Sequence, residues 1–184
     1  MSFINSDVAL DGEPVIGSFA VDVLPYAVTD GPYVELVGVA SGDAAVSGNG
    51  TLVVPETVTY EDVSHIVSSI GSYAFYLSGV MQVELPASVA DVDNRAFRSS
   101  DVESVTVADS NPFYSSFDGA LYDADQTSLL LIPEGRKGAV VLPKTAETVQ
   151  ASVFSHCPLV KAISVEDGSA AFASENGLLY TVDL

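Results

Sequence analysis

Apolar residues recur along this chain in short alternating runs. Val80, Val83 and Leu85 form one run, Val102, Val105 and Val107 a second, and Val160, Ile163 and Val165 a third, with mostly polar residues between them. Alternation with a period of two marks a strand with one buried face, so each run is read as a strand. Each follows a phenylalanine (Phe75, Phe97, Phe154) after a short polar step. Near the amino terminus, residues 19–24 and 33–39 alternate in the same way. They predict two more strands, separated by the turn residues Thr29, Asp30, Gly31 and Pro32, with a Gly/Ser-rich stretch over 41–50 after them.

The runs belong to a repeat. Val89, Val92, Ala96 and Phe97 follow Pro86 at offsets of 3, 6, 10 and 11, and Ala146, Val149, Val153 and Phe154 follow Pro143 at the same offsets. A third copy begins at Pro55 and Val58 and is completed by Ile70, Ala74 and Phe75, with nine residues added at about 60–68. A longer similarity has a period of 58 residues. Val105 to Asp109 matches Ile163 to Asp167, and Asp118-Gly119-Ala120-Leu121-Tyr122 matches Asn176-Gly177-Leu178-Leu179-Tyr180. Asp-Gly or Asn-Gly ahead of an apolar strand predicts a hairpin, because Gly adopts positive φ freely and Asn or Asp tolerates it. Between these units, residues 129–133 and 139–143 read as two short buried strands around a turn through 134–138.

Repeats of this length cannot cover their own apolar side and must stack on a neighbour, which predicts a β-rich solenoid. Its strands would line up as a curved parallel sheet, with short helical turns or irregular strands behind it. Phe75, Phe97 and Phe154 would form a continuous column. Residues 1–49 lie outside the repeat and are assigned to an amino-terminal β cap; residues 50–184 form the solenoid. By the 58-residue match Leu184 corresponds to Gln126, so the chain is read as a piece of a longer array.

Charge narrows the partners. Across 184 residues there are 25 Asp+Glu against 6 Lys+Arg, a formal net charge of −19, and no basic residue precedes Arg95. Such a surface repels phosphate backbones and anionic lipid, so neither nucleic acid nor an electrostatically docked membrane is expected. No apolar stretch reaches the roughly 20 residues needed to span a bilayer. Residues 1–7 lack the basic start and apolar core of a signal peptide. The excess acid is read as an aid to solubility.

Candidate chemistry is sparse. One cysteine, Cys157, excludes an internal disulfide and a cysteine-cluster zinc site. It adjoins His156, but neighbouring side chains seldom face each other, and the repeat gives Cys157 a structural position. His65 falls in the added segment. No phosphate-binding glycine loop or paired catalytic carboxylates are present, so no enzyme activity and no cofactor are expected. Asp118, Asp123 and Asp125 lie close together without the spacing of a calcium loop and are read as turn residues. On the proposed sheet, the side chains between buried positions are Gln82, Glu84, Ser104, Thr106, Ala162 and Ser164, and these are the candidate binding residues. Tyr73, Tyr76 and Tyr114 are secondary candidates.

Several of these segments resemble the leucine-rich repeats of the bacterial surface-antigen type, called BspA-like. They are Ile70 with Ser72-Tyr73-Ala74-Phe75, Glu84-Leu85-Pro86-Ala87-Ser88-Val89, Arg95-Ala96-Phe97 and Val153-Phe154-Ser155-His156-Cys157-Pro158-Leu159. The openings around Val53-Val54-Pro55 and the Asn111-to-Tyr122 unit are similar to the same family. Two departures stand out: Ser78 and Ser100 occupy positions where Cys or Asn is common, and Val102, Val105 and Val107 replace the usual Leu or Ile. The resemblance implies a leucine-rich-repeat solenoid and an extracellular or cell-surface location. It also implies a non-catalytic role in binding a protein or glycan partner, with a structural spacer or stalk as the alternative.

Overall fold

A computed structural model describes residues 17–21, 24–28, 31–39, 46–150 and 152–182. The Gly/Ser-rich residues 41–45, the turn residues Thr29 and Asp30, and the first seven residues lie outside them. Among the described residues all regular structure is β, with no helix.

The amino-terminal segment forms an antiparallel meander of β1 (Gly17–Val21), β2 (Leu24–Val28) and β3 (Tyr33–Leu36). The expected single strand over 19–24 is therefore two, because Val21 pairs with Leu24 and the alternation spans the junction of a hairpin. After β4 (Thr51–Val53), the nine added residues build a hairpin from β5 (Thr57–Tyr60) and β6 (Val63–Ile70). Its turn residues Glu61 and Asp62 both have positive φ, 49° and 65°. β6 then runs parallel to β3, so the meander is hydrogen-bonded directly to the repeats.

Two short turns of chain follow the phenylalanine motif. β7 (Gln82–Leu85), β8 (Asp91–Val92) and β9 (Ser104–Val107) complete the first parallel ladders, β4–β7–β9 on one side and β6–β8 on the other. The segments containing Phe75 and Phe97 are consecutive hydrogen-bonded turns. Tyr76 N–H donates to Tyr73 O and Arg98 N–H to Arg95 O, each at 3.0 Å. They are also bonded to one another, with Tyr73 N–H to Arg95 O at 3.1 Å and Leu77 N–H to Ser99 O at 3.1 Å. Donors that a helix would pair with its own carbonyls are thus turned to the next coil. Ser78 and Ser100 close the two turns, their hydroxyls donating to Phe75 O and Phe97 O at 3.0 and 2.8 Å.

Past β9 the pattern changes. β10 (Tyr114–Phe117) and β11 (Ala120–Asp123) form the expected hairpin, and β12 (Ser128–Leu131) adds antiparallel to β11. β13 (Gly138–Leu142), β14 (Thr148–Val149) and β15 (Val160–Val165) follow, then a second hairpin of β16 (Phe172–Glu175) and β17 (Leu178–Thr181). β12 and β13 do not pair with each other. β12 lies beside β14 and β13 beside β15, both in parallel, so the turn between them carries the chain from one sheet to another.

The core is divided accordingly. One cluster joins Tyr26, Val34 and Leu36 of the meander to Ile70, Phe75, Phe97, Val105 and Leu121. The second holds Ala120, Tyr122, Leu129, Ile132, Val140, Leu142, Val153 and Cys157. Phe75 and Phe97 stack with ring centroids 4.9 Å apart and planes 2° from parallel. Phe154 does not extend this column: it is half-buried against the second cluster. The intervening coil has no phenylalanine turn, and Gly135 is pressed so closely on Asp101 that a Cβ there would lie 2.5 Å from its carbonyl carbon.

Candidate functional site

The outward face of β4–β7–β9 is set by strand register. Val83, Leu85, Val105 and Val107 point inward and are buried, which turns Gln82, Glu84, Ser104 and Thr106 outward. Gln82 lies beside Thr51 and Ser104, and Glu84 beside Val53 and Thr106, giving two short rows across the sheet. The Thr51 hydroxyl donates to Gln82 Oε1 at 3.1 Å. Gln82, Glu84 and Thr106 are exposed, and Val53 adds an apolar contact at 60% exposure.

Ala162 and Ser164 belong to a different patch. They sit on β15 beside Ala139 and Val141 of β13, and both are half-buried. The first hairpin interrupts the sheet that would have joined the two groups. Val105 N–H donates to Gly119 O at 3.0 Å and Val107 N–H to Ser116 Oγ at 3.0 Å, so the free edge of β9 is closed by a turn and a side chain. The second hairpin repeats the device 58 residues on. Ile163 N–H donates to Gly177 O at 2.9 Å, and Val165 N–H to Ser174 Oγ at 3.2 Å. Gly119 and Gly177 fit because a Cβ on either would come within 2.9 Å of Ser104 or 3.0 Å of Ala162. Asp118 and Asn176, with φ of 47° and 53°, precede them in the left-handed region, as the hairpin turn requires. The roles of Ser116 and Ser174 were not assigned from the sequence, although their 58-residue spacing was a usable signal.

Asp118 then fixes the hairpin to the next coil. Its Oδ2 accepts from Arg136 Nη2 and from Val141 N–H, each at 2.8 Å. Asp123 accepts from Thr127 N–H at 2.7 Å, the Thr127 hydroxyl at 2.6 Å and Ser128 N–H at 2.9 Å. Partial burial works against its charge, but these donors outweigh it and hold the carboxyl below the usual carboxylate range. Both acids are therefore engaged by the chain itself, and among the described residues no group of three or more His, Cys, Asp or Glu is arranged to hold a metal.

The Cys157 thiol is buried and lies 3.4 Å from Val153 O and 3.6 Å from Ile132 O. It stands three residues after its phenylalanine, as Ser78 and Ser100 do, but its thiol is directed to Val153 O and to Ile132 O of the previous coil, whereas their hydroxyls donate to the phenylalanine carbonyl. Burial first, and then the charge of Glu134, push the thiol pKa up, the reverse of what an attacking thiolate needs. His156 beside it is exposed, and His65 lies in β6. A small cleft lined by Asn94, Phe97, Arg98, Ile132, Val153 and His156 opens where the phenylalanine column is broken. Tyr73 and Tyr76 are exposed and meet edge to face at 6.3 Å, whereas Tyr114 packs partly into the first core.

Comparison with known proteins bears on this architecture. Residues 56–134 match the BspA type leucine rich repeat region in six copies. These residues, less than half of the chain, are similar to BspA-type leucine-rich repeats. The match covers the Phe75 and Phe97 turns, β7 to β12 and the first hairpin; the Phe154 turn and the second hairpin lie outside it. No curated protein matches the sequence. A leucine-rich repeat protein from Bacteroides capillosus has a similar fold, with a TM-score of 0.51 at 16% identity over 81% of this chain and 98% of the other. One from Bacteroides ovatus gives 0.50 at 22% identity over 80% of this chain, which spans 42% of that protein. These likenesses concern the fold. Among the described residues no helix is long and apolar enough to cross a membrane.

Proposed function

We propose that this chain is a non-catalytic repeat module, secreted or displayed at a bacterial cell surface, that binds a protein partner through the outer face of β4–β7–β9. The observation that carries the reading is the register of that face. Gln82, Glu84, Ser104 and Thr106 are brought side by side by backbone pairing, and no loop or side chain is needed to position them. A rigid sheet loses little freedom on binding, which favours recognition of a complementary surface. Rows of side chains spread across three paired strands suit a protein better than a single sugar ring, which calls for a concave site with converging polar groups. A glycan is the related alternative, with the exposed Tyr73 and Tyr76 rings as its stacking surface. The amino-terminal meander acts as the cap of a parallel solenoid, in keeping with its continuous core with the first repeats. The raised Cys157 pKa, the reverse of what an attacking thiolate needs, supports a role without catalysis.

A spacer or stalk segment is the second reading, favoured by the absence of any arginine or aromatic residue among the six candidate side chains. The two are separated by panels of purified extracellular proteins and glycans presented to the immobilised chain. Binding to a protein, lost on Glu84→Lys with Thr106→Lys and retained on Ser164→Lys, supports the binding module. Uniform absence of binding, with the fold intact, supports the spacer.

A further inference from the structure

One cation of this chain stands apart from the other five. Arg95, Arg136 and Lys137 are paired with Asp93, Asp118 and Glu103. Lys144 and Lys161 have no ion pair, but both are exposed and solvated by water. Arg98 is half-buried and forms no ion pair among the described residues. With 25 acidic residues the chain has carboxylates to spare, yet none is placed on this guanidinium. Partial burial makes an unpaired charge costly, and an anion brought from outside would offset that cost.

Arg98 lines the cleft that opens where the phenylalanine column is broken. The break comes from chain length. Residues 93–103 join β8 to β9 and residues 150–159 join β14 to β15, and each connection carries a phenylalanine turn. Only residues 132–137 join β12 to β13, and this shorter connection brings no ring. The cleft left at that level has apolar walls of Phe97, Leu130, Ile132 and Val153, with Arg98 and Glu134 also lining it. Glu134 does not neutralise Arg98: its Oε2 accepts from Ser99 N–H at 2.9 Å, and it forms no ion pair.

The geometry points to a ligand site in this cleft for an aromatic carboxylate, with the ring against the apolar walls and the carboxylate paired with the Arg98 guanidinium. Apolar walls beside a planar fork of N–H donors match a ring and a carboxylate held on one short linker. The ring takes the level of the column that the coil between β12 and β13 leaves empty. Two sources carry this chemistry: a free aryl acid, and the terminal carboxylate of a polypeptide that ends in phenylalanine. The site uses no residue of the β4–β7–β9 face, so it stands independently of the function proposed above.

The probes are hydrocinnamate and the peptide tetraglycyl-phenylalanine, each titrated into the isotope-labelled 184-residue chain and followed by amide chemical shifts. Saturable shifts are expected for at least one of them, confined to residues around Arg98, Ile132 and Val153. Hydrocinnamamide and the peptide amide keep the ring and lose the charge, and each should bind about tenfold or more weakly than its acid, the loss expected for one charge-assisted pair. Arg98→Gln should weaken the acids by a similar factor and leave the circular dichroism of the parent unchanged. Peptide binding as tight as that of hydrocinnamate or tighter supports the site and assigns it to a protein terminus; tighter binding of hydrocinnamate supports it and assigns it to a free acid. Absence of saturable shifts with both probes overturns the proposal, as do shifts centred elsewhere or equal binding of acid and amide. The comparison of acid with amide uses the parent chain alone, so it decides the matter even if Arg98→Gln fails to fold.

Discussion

The Phe97 turn and the Phe154 turn begin from the same spacing after a proline, yet they end in different surroundings. Phe97 is 2% exposed and stacked on Phe75, with a coil of matching shape beside it. Phe154 is half-buried, and the coil next to it crosses from β12 to β13 through a tight turn with no phenylalanine. The motif therefore determines the local turn, while the neighbouring coil determines how much apolar area that turn removes from water. Burial in a repeat array is a property of pairs of coils.

Breaking the two turns separately tests this. Phe97→Ala should cost about 3–5 kcal/mol, from lost transfer energy and from the cavity left against Phe75. Phe154→Ala should cost about 1–2 kcal/mol, since part of that ring is already in water. Urea unfolding of both variants gives the comparison. Equal losses would mean that the stack adds nothing to the motif.

The next contrast is between Asn111 and Ser169, which are 58 residues apart. Asn111 is 7% exposed. Its Nδ2 donates to Pro86 O and Val89 O at 2.9 Å, and its Oδ1 accepts from Phe113 and Tyr114 N–H at 2.8 and 2.9 Å. It thereby joins the hairpin to the previous coil. Ser169 accepts one bond, from Phe172 N–H at 3.2 Å. Removing four partners leaves buried backbone groups unsatisfied, so Asn111→Ala should cost about 2–3 kcal/mol, and Ser169→Ala about 1 kcal/mol or less. Thermal melts that rank them in the opposite order would show that the hairpin is held chiefly by its strands.

These contrasts mark how far the sequence could be read. Alternation identified β7, β9 and β15, and the Asp-Gly and Asn-Gly pairs identified both hairpins, because strand period and left-handed turn geometry are local properties. The repeat offsets placed Ala96 and Phe97 in the core, and the repeat gave Cys157 a structural position. What the offsets could not carry was pairing between distant segments. Residues 129–133 and 139–143 looked like one strand pair, but their partners lie further along the chain at β14 and β15. The six candidate binding residues were assigned to one sheet for the same reason. All six lie between apolar positions, but the hairpin that separates Ser104 and Thr106 from Ala162 and Ser164 inserts through hydrogen bonds that Gly119 O and Ser116 Oγ accept from Val105 and Val107 N–H, and Ser116 and Gly119 have no hydrophobic signature. Non-local polar contacts of this kind leave little trace in an apolar pattern.

The smallest expected effect sharpens the comparison between the hairpins themselves. The first ends in Asp123, whose carboxylate gathers Thr127 and Ser128 and starts the turn into β12; the second has Thr181 at that offset. Because the folded-state pKa of Asp123 lies below its unfolded value of about 3.9, its contribution is complete above that pH and is lost as the pH falls through the folded pKa. Asp123→Asn should therefore destabilise the chain by about 1 kcal/mol or less near neutrality, given partial exposure and the bonds an amide oxygen can still accept. The difference between parent and variant should be constant from about pH 5 upward and close below about pH 4. Stability measured by denaturant titration across that range checks the sign. A difference that widened on acidification would mean that the carboxyl is better held when protonated, and the turn into β12 would then depend on the Thr127 hydroxyl instead of the charge.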